Sequence, residues 1–575
     1  MANLTTSSGD VFNRPQFESL LKRRFFFTEA FEVYRTAPNY KGDNRGLYDY
    51  GPPGCGMLAN IVNEWRKHFV IEENMLEVDC TAITPEAVLK TSGHVDRFAD
   101  WMCRDPAKGE YLRADHLVES VLETRLANSR LAAADPQSKM ERLDNAKVEQ
   151  YQEILARMDN YDGPELGKLI RELDIRNPNG GGKVEEPTAF NLMFRSTIGP
   201  SSASPVYFRP ETAQDKKTQL SGQSSISSMP IGKAVETKLV DNETLGYFLA
   251  RVYLFLLKIG VDPQKLRFRQ HLDNEMAHYA CDCWDAELLT SYGWIECVGC
   301  ADRSAYDLTV HSRETGTPLT VKQARATPLE ITEWKATLEK RLVGPRFKKD
   351  AKTIELAVGQ LDQEHLRQLA TELAEKGVVT IPTDELANGA NFVELTSDVC
   401  SIKQTTRVET TREYTPNVIE PSFGIGRILY SILEHVYWSR PQDIAREVLS
   451  LPILVAPVKV LLVPLSNNAG FKPVVKALAS RLRAMGIANN VDSSSVSIGR
   501  RYARNDELGT PLGITVDIDT LKDGSVTLRE RDSRVQVRAS QDEIVQAIRD
   551  LVAGAETWDE VSKRLPVFTG QSQEG

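Results

Sequence analysis

VIEPSFGIGRILY (Val418–Tyr430) is the stretch whose reading decides the fold. Its first half predicts a strand that delivers Glu420 and Ser422, and its second half predicts an amphipathic helix. Between them Gly424 and Gly426 make a turn where backbone can approach a planar ring. Arg427 stands at the mouth of the helix, able to stack on a base or to pair with phosphate, and Glu420 is placed to hold an ammonium group. A bare G-x-G-R pattern also fits a plain strand–turn–helix with a surface arginine. Its company strengthens it. YFRPETAQ (Tyr207–Gln214) gathers Arg209, Pro210, Glu211, Thr212 and Gln214 directly after a predicted strand, a cluster costly to bury unless it binds something. WIECVGCADRSAYDLTVH (Trp294–His311) predicts a strand with Glu296 and Arg303 flanking a tight turn, and NRGLYDYGPPGCGMLANIVNEW (Asn44–Trp65) a Gly/Pro-rich turn feeding a long amphipathic helix.

Outward from these stretches, composition changes twice. Residues 105–185 carry charged helical runs (HLVESVLETRLANS, KVEQYQEILARM) and end in the breaker NPNGGGK, so they predict an insert. Residues 311–405 predict a second, helical insert, with helical periodicity in LEITEWKATLEKRL and DQEHLRQLATELAEKG. From about residue 455, the buried-strand run VKVLLVPL, a helix FKPVVKALASRLRAMG, further strands and a closing helix predict a separate α/β domain. The chain has 575 residues, 41% of them apolar, with a net charge of −10, so it announces no nucleic-acid partner by bulk charge; a local basic patch is enough for one. The polar N-terminal residues lack the pattern of a secretory signal, and the apolar run Leu451–Leu465 is too short for a bilayer. Eight cysteines in this length fit a reducing compartment, and the cytoplasm is the expectation.

Together these segments resemble the eukaryotic-type glycyl-tRNA synthetases, in order, over most of residues 15–555. Asn44–Asp79 is similar to class II motif 1, the dimer-forming element, and VIEPSFGIGR to motif 3. TSGHVDRFADWM (Thr91–Met102), YFRPETAQ, RFRQHLDNEMAHYACDCWDAE (Arg267–Glu287) and WIECVGCADRS resemble the family's own signatures. The resemblance implies an α+β fold: a class II antiparallel sheet of six or seven strands with helices and inserts, plus a C-terminal α/β anticodon-binding domain. Residues 1–104 would be the first part of the catalytic domain, 186–310 the second, 406–450 the motif 3 part, 455–560 the anticodon-binding domain and 561–575 a tail. It implies ATP and Mg²⁺ as cofactors, glycine and tRNA(Gly) as partners, a homodimer and no membrane. Carried onto this sequence, Glu211, Glu420, Pro421 and Ser422 would hold glycine, with Arg303 near its carboxylate. Glu296 and Cys297 would line the ATP site, Glu296 through magnesium, and Arg427 would contact the nucleotide. A pocket that excludes larger amino acids by volume suits a substrate with no side chain to read.

One part of the pattern is missing. In class II chemistry the glycine carboxylate attacks the α-phosphate of ATP, and the charge that develops must meet a preorganised cation. In the family that cation is an arginine of motif 2, a strand–loop–strand marked FRNE. Here Gln214 is followed by DKKTQLSGQSSISSMPIGKAVETKL, which resembles the region well downstream of motif 2. The FR dipeptides at Phe194, Phe208 and Phe268 belong to other matched segments. Loss of one such donor is expected to raise the barrier by about 2.7–4 kcal/mol.

Other clusters have plainer readings beside functional ones. Cys281, Cys283, Cys297 and Cys300 loosely suggest a zinc ribbon, yet the first pair has the wrong spacing, and cysteine on an apolar strand is usually a small hydrophobe. His271 and His278 are expected on one face of a helix as structural histidines. Arg500, Arg501, Arg504, Arg529 and Arg531 are candidates for anticodon phosphates or bases, and interspersed acids make a solvated face the equal alternative.

Overall fold

The structure, a computed structural model, describes all residues except 1–3, 7, 36–45, 98, 108, 135–141, 159–160, 179, 201–203, 210–229, 273–275, 385, 388, 442 and 570–575. It comprises two compact units, residues 1–317 with 417–575, and residues 318–416.

In the larger unit, four antiparallel strands form the floor on which the candidate site stands, in the order Ile419–Phe423, Gly293–Asp302, Asp282–Thr290, Leu266–Gln270. Four strands among the described residues are fewer than the six or seven expected. Motif 2, read as missing after Gln214, would have supplied others; residues 210–229, around that place, lie outside the described residues. Side chains alternate across such a sheet. Ala286, Leu288, Cys297 and Val298 face an apolar core built with Met57 and Ile61 of the helix Pro52–Trp65 and with Val252, Phe255 and Leu256 of the helix Glu243–Lys258. The register shifts between Ala286 and Glu287, so that Cys297 is an extra residue between Glu296 and Val298. Such a bulge lets the consecutive residues Cys297 and Val298 both face the core while Glu296 stays on the other face.

The helix Pro52–Trp65 starts with two prolines in its first turn, where no backbone donor is lost. Gly54 is required there, because a Cβ would sit 2.0 Å from the Phe26 carbonyl oxygen. This helix packs against Ile425–His435, whose Ile428, Leu429, Ile432 and Leu433 are buried. The far end of that second helix is pinned to the turn of the floor hairpin. Glu434 accepts from the Ser291 amide (2.7 Å) and hydroxyl (2.6 Å), and His435 Nε2 lies 2.9 Å from the Leu289 oxygen.

Two smaller three-stranded sheets flank this core: Ile83–Pro85, Ser204–Phe208 and Arg195–Ile198; and Tyr111–Arg113, Ala99–Arg104 and Thr188–Asn191. The helices Ala114–Ala134, Asn145–Ala156 and Gly163–Glu172 of the first insert share a core of their own. The C-terminal domain is a five-stranded mixed sheet ordered Asn489–Val491, Val460–Pro464, Leu512–Val516, Ser525–Glu530, Gln536–Ser540, with helices Phe471–Ala484 and Gln541–Ala553 in its core. The expected tail does not begin at residue 561. Val561 and Leu565 are buried in that core, and the Phe568 amide donates to the Gln536 oxygen at 2.8 Å.

The second unit corrects the reading of a helical insert at 311–405. Residues 306–315 form a helix of the larger unit, and the second unit spans Pro318–Pro416. Most of LEITEWKATLEKRL is strand, because Val321–Leu338 pairs antiparallel with Cys400–Tyr414 in a long ribbon. The helices Lys340–Phe347, Ala351–Gly359 and Gln363–Lys376 do form, around Val343, Ile354, Leu366 and Leu373.

Candidate active site

The polar face of the four-stranded floor is organised by register into rows. Arg269 pairs with Asp285, Asp285 with Gly299, and Gly299 with Ser422; Arg267 pairs with Glu287, and Glu287 with Glu296; Cys283 pairs with Ala301, and Ala301 with Glu420. The sequence therefore places two small residues, Gly299 and Ala301, beneath the carboxylates and the serine. A Cβ on Gly299 would lie 3.7 Å from Glu296 Oε1 and 3.8 Å from Asp285 Oδ1, so these carboxylates converge over a bare backbone floor.

Charges on this face are tied to one another. Arg269 donates to Glu287 and Asp285, each at 3.2 Å, and Arg267 to Glu287 at 2.5 Å while lying over the Trp294 ring. His271 Nε2 is 2.9 Å from Asp285 Oδ2. Partial desolvation by the neighbouring groups, and then Asp285, hold the Glu296 carboxyl above the ordinary carboxylate range although about half of the side chain stays exposed; Arg427 opposes them. The helix Ile425–His435 opens at Gly424 with no side-chain cap, so its first amides are available to an anion. Arg427, in its first turn, is more than half exposed and donates to the Glu296 carbonyl at 2.8 Å, with Glu296 Oε2 at 3.5 Å.

Arg303 is wholly buried. It donates from Nε to Asp307 (2.6 Å) and from a terminal nitrogen to Glu420 (2.7 Å), and its guanidinium lies 3.7 Å from the Tyr279 ring centre. The tight turn that the sequence predicts between Glu296 and Arg303 is not there: the strand Gly293–Asp302 runs unbroken between them, and the turn follows Arg303.

The structure thus brings Glu296, Arg303, Glu420, Ser422 and Arg427 to one region of the floor, while Pro421, in register with the buried Cys300, turns its side chain to the opposite face. The Cys297 side chain turns the other way, into the core, 3.8 Å from Ser431, and burial pushes its thiol up to about 11. Its carbonyl instead accepts from the Gly424 amide at 2.9 Å. Glu211 lies outside the described residues. Sequence reasoning missed Asp285, Arg267, Arg269, Asp307 and Tyr279; of these, Asp285 carried a signal in its alternation with Cys283 and Glu287 along one strand.

A zinc ribbon of the four cysteines does not form. Cys300 is buried against Trp284 and Leu249, with its thiol driven further up by burial. Cys283 instead stands with His271 and Asp285, ligand atoms within 4.8 Å of one another, a softer donor set than magnesium takes. His271 and His278 are not on a helix either: His271 follows a strand, and His278 Nε2 meets the Ser92 oxygen at 2.9 Å.

The C-terminal arginines divide by burial. Arg501 is buried and donates to the carbonyls of Pro464 (2.7 Å) and Asp492 (3.2 Å); Arg531 is buried and donates to Leu451 (3.0 Å), Gly509 (2.9 Å) and Asp532. Both brace the domain, and neither lies on its solvated face. Arg529 is 8% exposed beside Asp506 and stacks on Tyr502 at 4.4 Å, at the wall of a cavity of about 400 Å³ that Arg446 and Arg534 also line. Arg504 is half-buried on Asp492 and Ser494, and Arg500 is exposed.

An antiparallel floor with its strand–turn–helix at the site, joined to a C-terminal unit of this kind, is the fold of a class II aminoacyl-tRNA synthetase. Residues 459–551 match the family described as "Anticodon binding domain". Glycine–tRNA ligase 1, mitochondrial, of Saccharomyces cerevisiae is 48% identical over 657 aligned positions, covering 98% of this chain and 94% of the yeast protein. The putative glycine–tRNA ligase of Schizosaccharomyces pombe is 46% identical (98% and 99%), and the glycine–tRNA ligase of Drosophila melanogaster 40% (98% and 81%). With identity of this extent along nearly its whole length, the chain belongs to the glycine–tRNA ligase family. The 657 aligned positions exceed the 575 residues here by 82, so at least 82 positions of the yeast protein have no counterpart in this chain.

Proposed function

We propose that the chain activates glycine with ATP to glycyl-adenylate and transfers the glycyl group to tRNA(Gly). The observation that carries this reading is the placement of Glu420 and Ser422 on a small-residue floor, beside Arg427 and an uncapped helix N-terminus. Glu420 receives the ammonium group of glycine, with Ser422 and the Pro421 backbone between them bounding a pocket too small for a side chain and Glu211 proposed as a further glycine ligand. Arg427 and the helix amides hold the nucleotide phosphates. Glu296 and Asp285 offer hard carboxylate oxygens over Gly299, a donor set that fits magnesium, which would bind through ATP and neutralise phosphate charge. Arg500 and Arg504 are the better-exposed anticodon candidates. The exposed Ile71, Leu76 and Val78 after the motif 1 helix support a homodimer, and eight free cysteines support a cytoplasmic, reducing site of action. Among the described residues no helix is long and apolar enough to cross a membrane.

The shortfall of at least 82 positions favours a second reading. It supports loss of motif 2 after Gln214, and with it the cation over the α-phosphate. The chain would then bind tRNA or pair with an intact subunit while forming little adenylate. Charging of tRNA(Gly) with radiolabelled glycine tests the first reading; a folded chain that binds tRNA(Gly) and leaves it uncharged supports the second. Reading the transcript across Gln214–Asp215 shows whether motif 2 coding sequence was lost.

A further inference from the structure

Arg303 has no surface open to solvent, and two of its nitrogens are committed to Asp307 and Glu420. A guanidinium in that setting is poorly placed to reach a substrate carboxylate. It is well placed to orient Glu420, because a charge-assisted hydrogen bond fixes one carboxylate oxygen. One cation between two carboxylates also leaves the cluster with one net negative charge, the complement of an ammonium group.

What holds Arg303 lies outside the motifs already given roles. The guanidinium lies over the Tyr279 ring, which stacks on His94 with ring centres 5.1 Å apart and planes 19° apart. His94 is fully buried, and its Nδ1 shares a hydrogen bond of 2.8 Å with the equally buried Ser92 hydroxyl. The Ser92 carbonyl meets His278 Nε2. Between them Gly93 has φ +83°, and a Cβ there would fall 2.6 Å from His278 Nε2. Two distant segments, Ser92–His94 and His278–Tyr279, are therefore locked into one stack whose top is the face of Arg303.

We propose that Tyr279, fixed by the Ser92–His94 turn, is a positioning residue that holds Arg303 and through it the Glu420 carboxylate, and that Arg303 does not itself contact the substrate carboxylate. This rests on Glu420 being the ammonium site. The test is equilibrium binding of glycine and of glycinamide, which keeps the ammonium group and lacks the carboxylate, to the full chain at pH 7. Loss of a desolvated cation–π contact weakens binding by about tenfold. Tyr279→Leu is expected to weaken both ligands by that factor alike, and Tyr279→Phe, which keeps the ring, to stay within about twofold of the parent. If Tyr279→Leu does not fold, Tyr279→Met carries the same expectation. Unchanged affinity in the folded variant, or a loss confined to glycine, overturns the proposal while leaving the ammonium site in place. A parent chain that binds neither ligand removes the ammonium site itself, and this inference with it.

Discussion

Replacing Arg427 with alanine separates a nucleotide contact from a structural one. The side chain is 58% exposed, and its ion-pair partner Glu296 is 53% exposed, so their pairing adds only about 0–1 kcal/mol to stability. Alanine is a good helix former in a first turn, so the thermal midpoint should stay nearly unchanged. Binding is another matter. A charge-assisted hydrogen bond to phosphate contributes about 1.5–3 kcal/mol, which is roughly a ten- to 150-fold rise in the Kd for ATP with magnesium. Arg427→Lys should fall between, since an ammonium keeps the charge without the planar fork. The variant also removes the cation that opposes the raised Glu296 carboxyl, so any ionisation of Glu296 seen in the pH dependence of ATP binding should move upward. Isothermal titration on the full chain, beside a thermal melt, reads both quantities. An ATP affinity within twofold of the parent in a normally folded Arg427→Ala chain would refute the placement of the nucleotide.

Other perturbations probe the scaffold and the C-terminal domain. Burial raises Asp282 to about 7 and Asp302 to about 8, against 3.8 when unfolded. The folded chain therefore binds more protons from about pH 4 to pH 8, and stability falls as pH rises through that window. Asp302→Asn should raise the thermal midpoint more at pH 9 than at pH 6; an equal shift at both values counts against the assignment. Gly93→Ala forces a side chain into a left-handed backbone against His278, and a loss of about 1–3 kcal/mol is expected in urea unfolding. Arg501→Ala leaves buried carbonyls without their donor and should lower stability by about 1–3 kcal/mol. Arg500→Ala should leave the melt alone and reduce the salt slope of tRNA(Gly) binding by about one unit; unchanged slopes would remove Arg500 from the interface.

The elements that carry the site were legible because each couples a period to a chemical singularity. In VIEPSFGIGRILY, alternation ends at a glycine turn and helical spacing begins, and the structure follows with strand Ile419–Phe423 and helix Ile425–His435. The ribbon Val321–Leu338 was misread for a physical reason. With most of its side chains exposed on both faces, nothing enforces a period of two, and charges fall at spacings that mimic a helix. His278 defeats periodicity in another way, because its ring is tied to the distant Ser92 carbonyl. Burial of charge was harder to see still. Arg501 reads as a phosphate contact by type, yet it shares the inward face of Ile498–Asp506 with Tyr502 and Asn505. That spacing was the available signal. Arg303 gave only half a signal: Asp307 follows it by four residues, but Tyr279 and Glu420 reach it only through the tertiary fold.

Glycine-dependent ATP–pyrophosphate exchange by the purified full-length chain tests the central claim most directly. The proposed site should support exchange that requires glycine, is not supported by alanine, and is lost with Glu420→Gln. Without the motif 2 cation, the rate should lie about 10²–10³-fold below that of the same chain with the hairpin restored. No glycine-dependent exchange above background from a folded chain would contradict the ligase reading of this polypeptide.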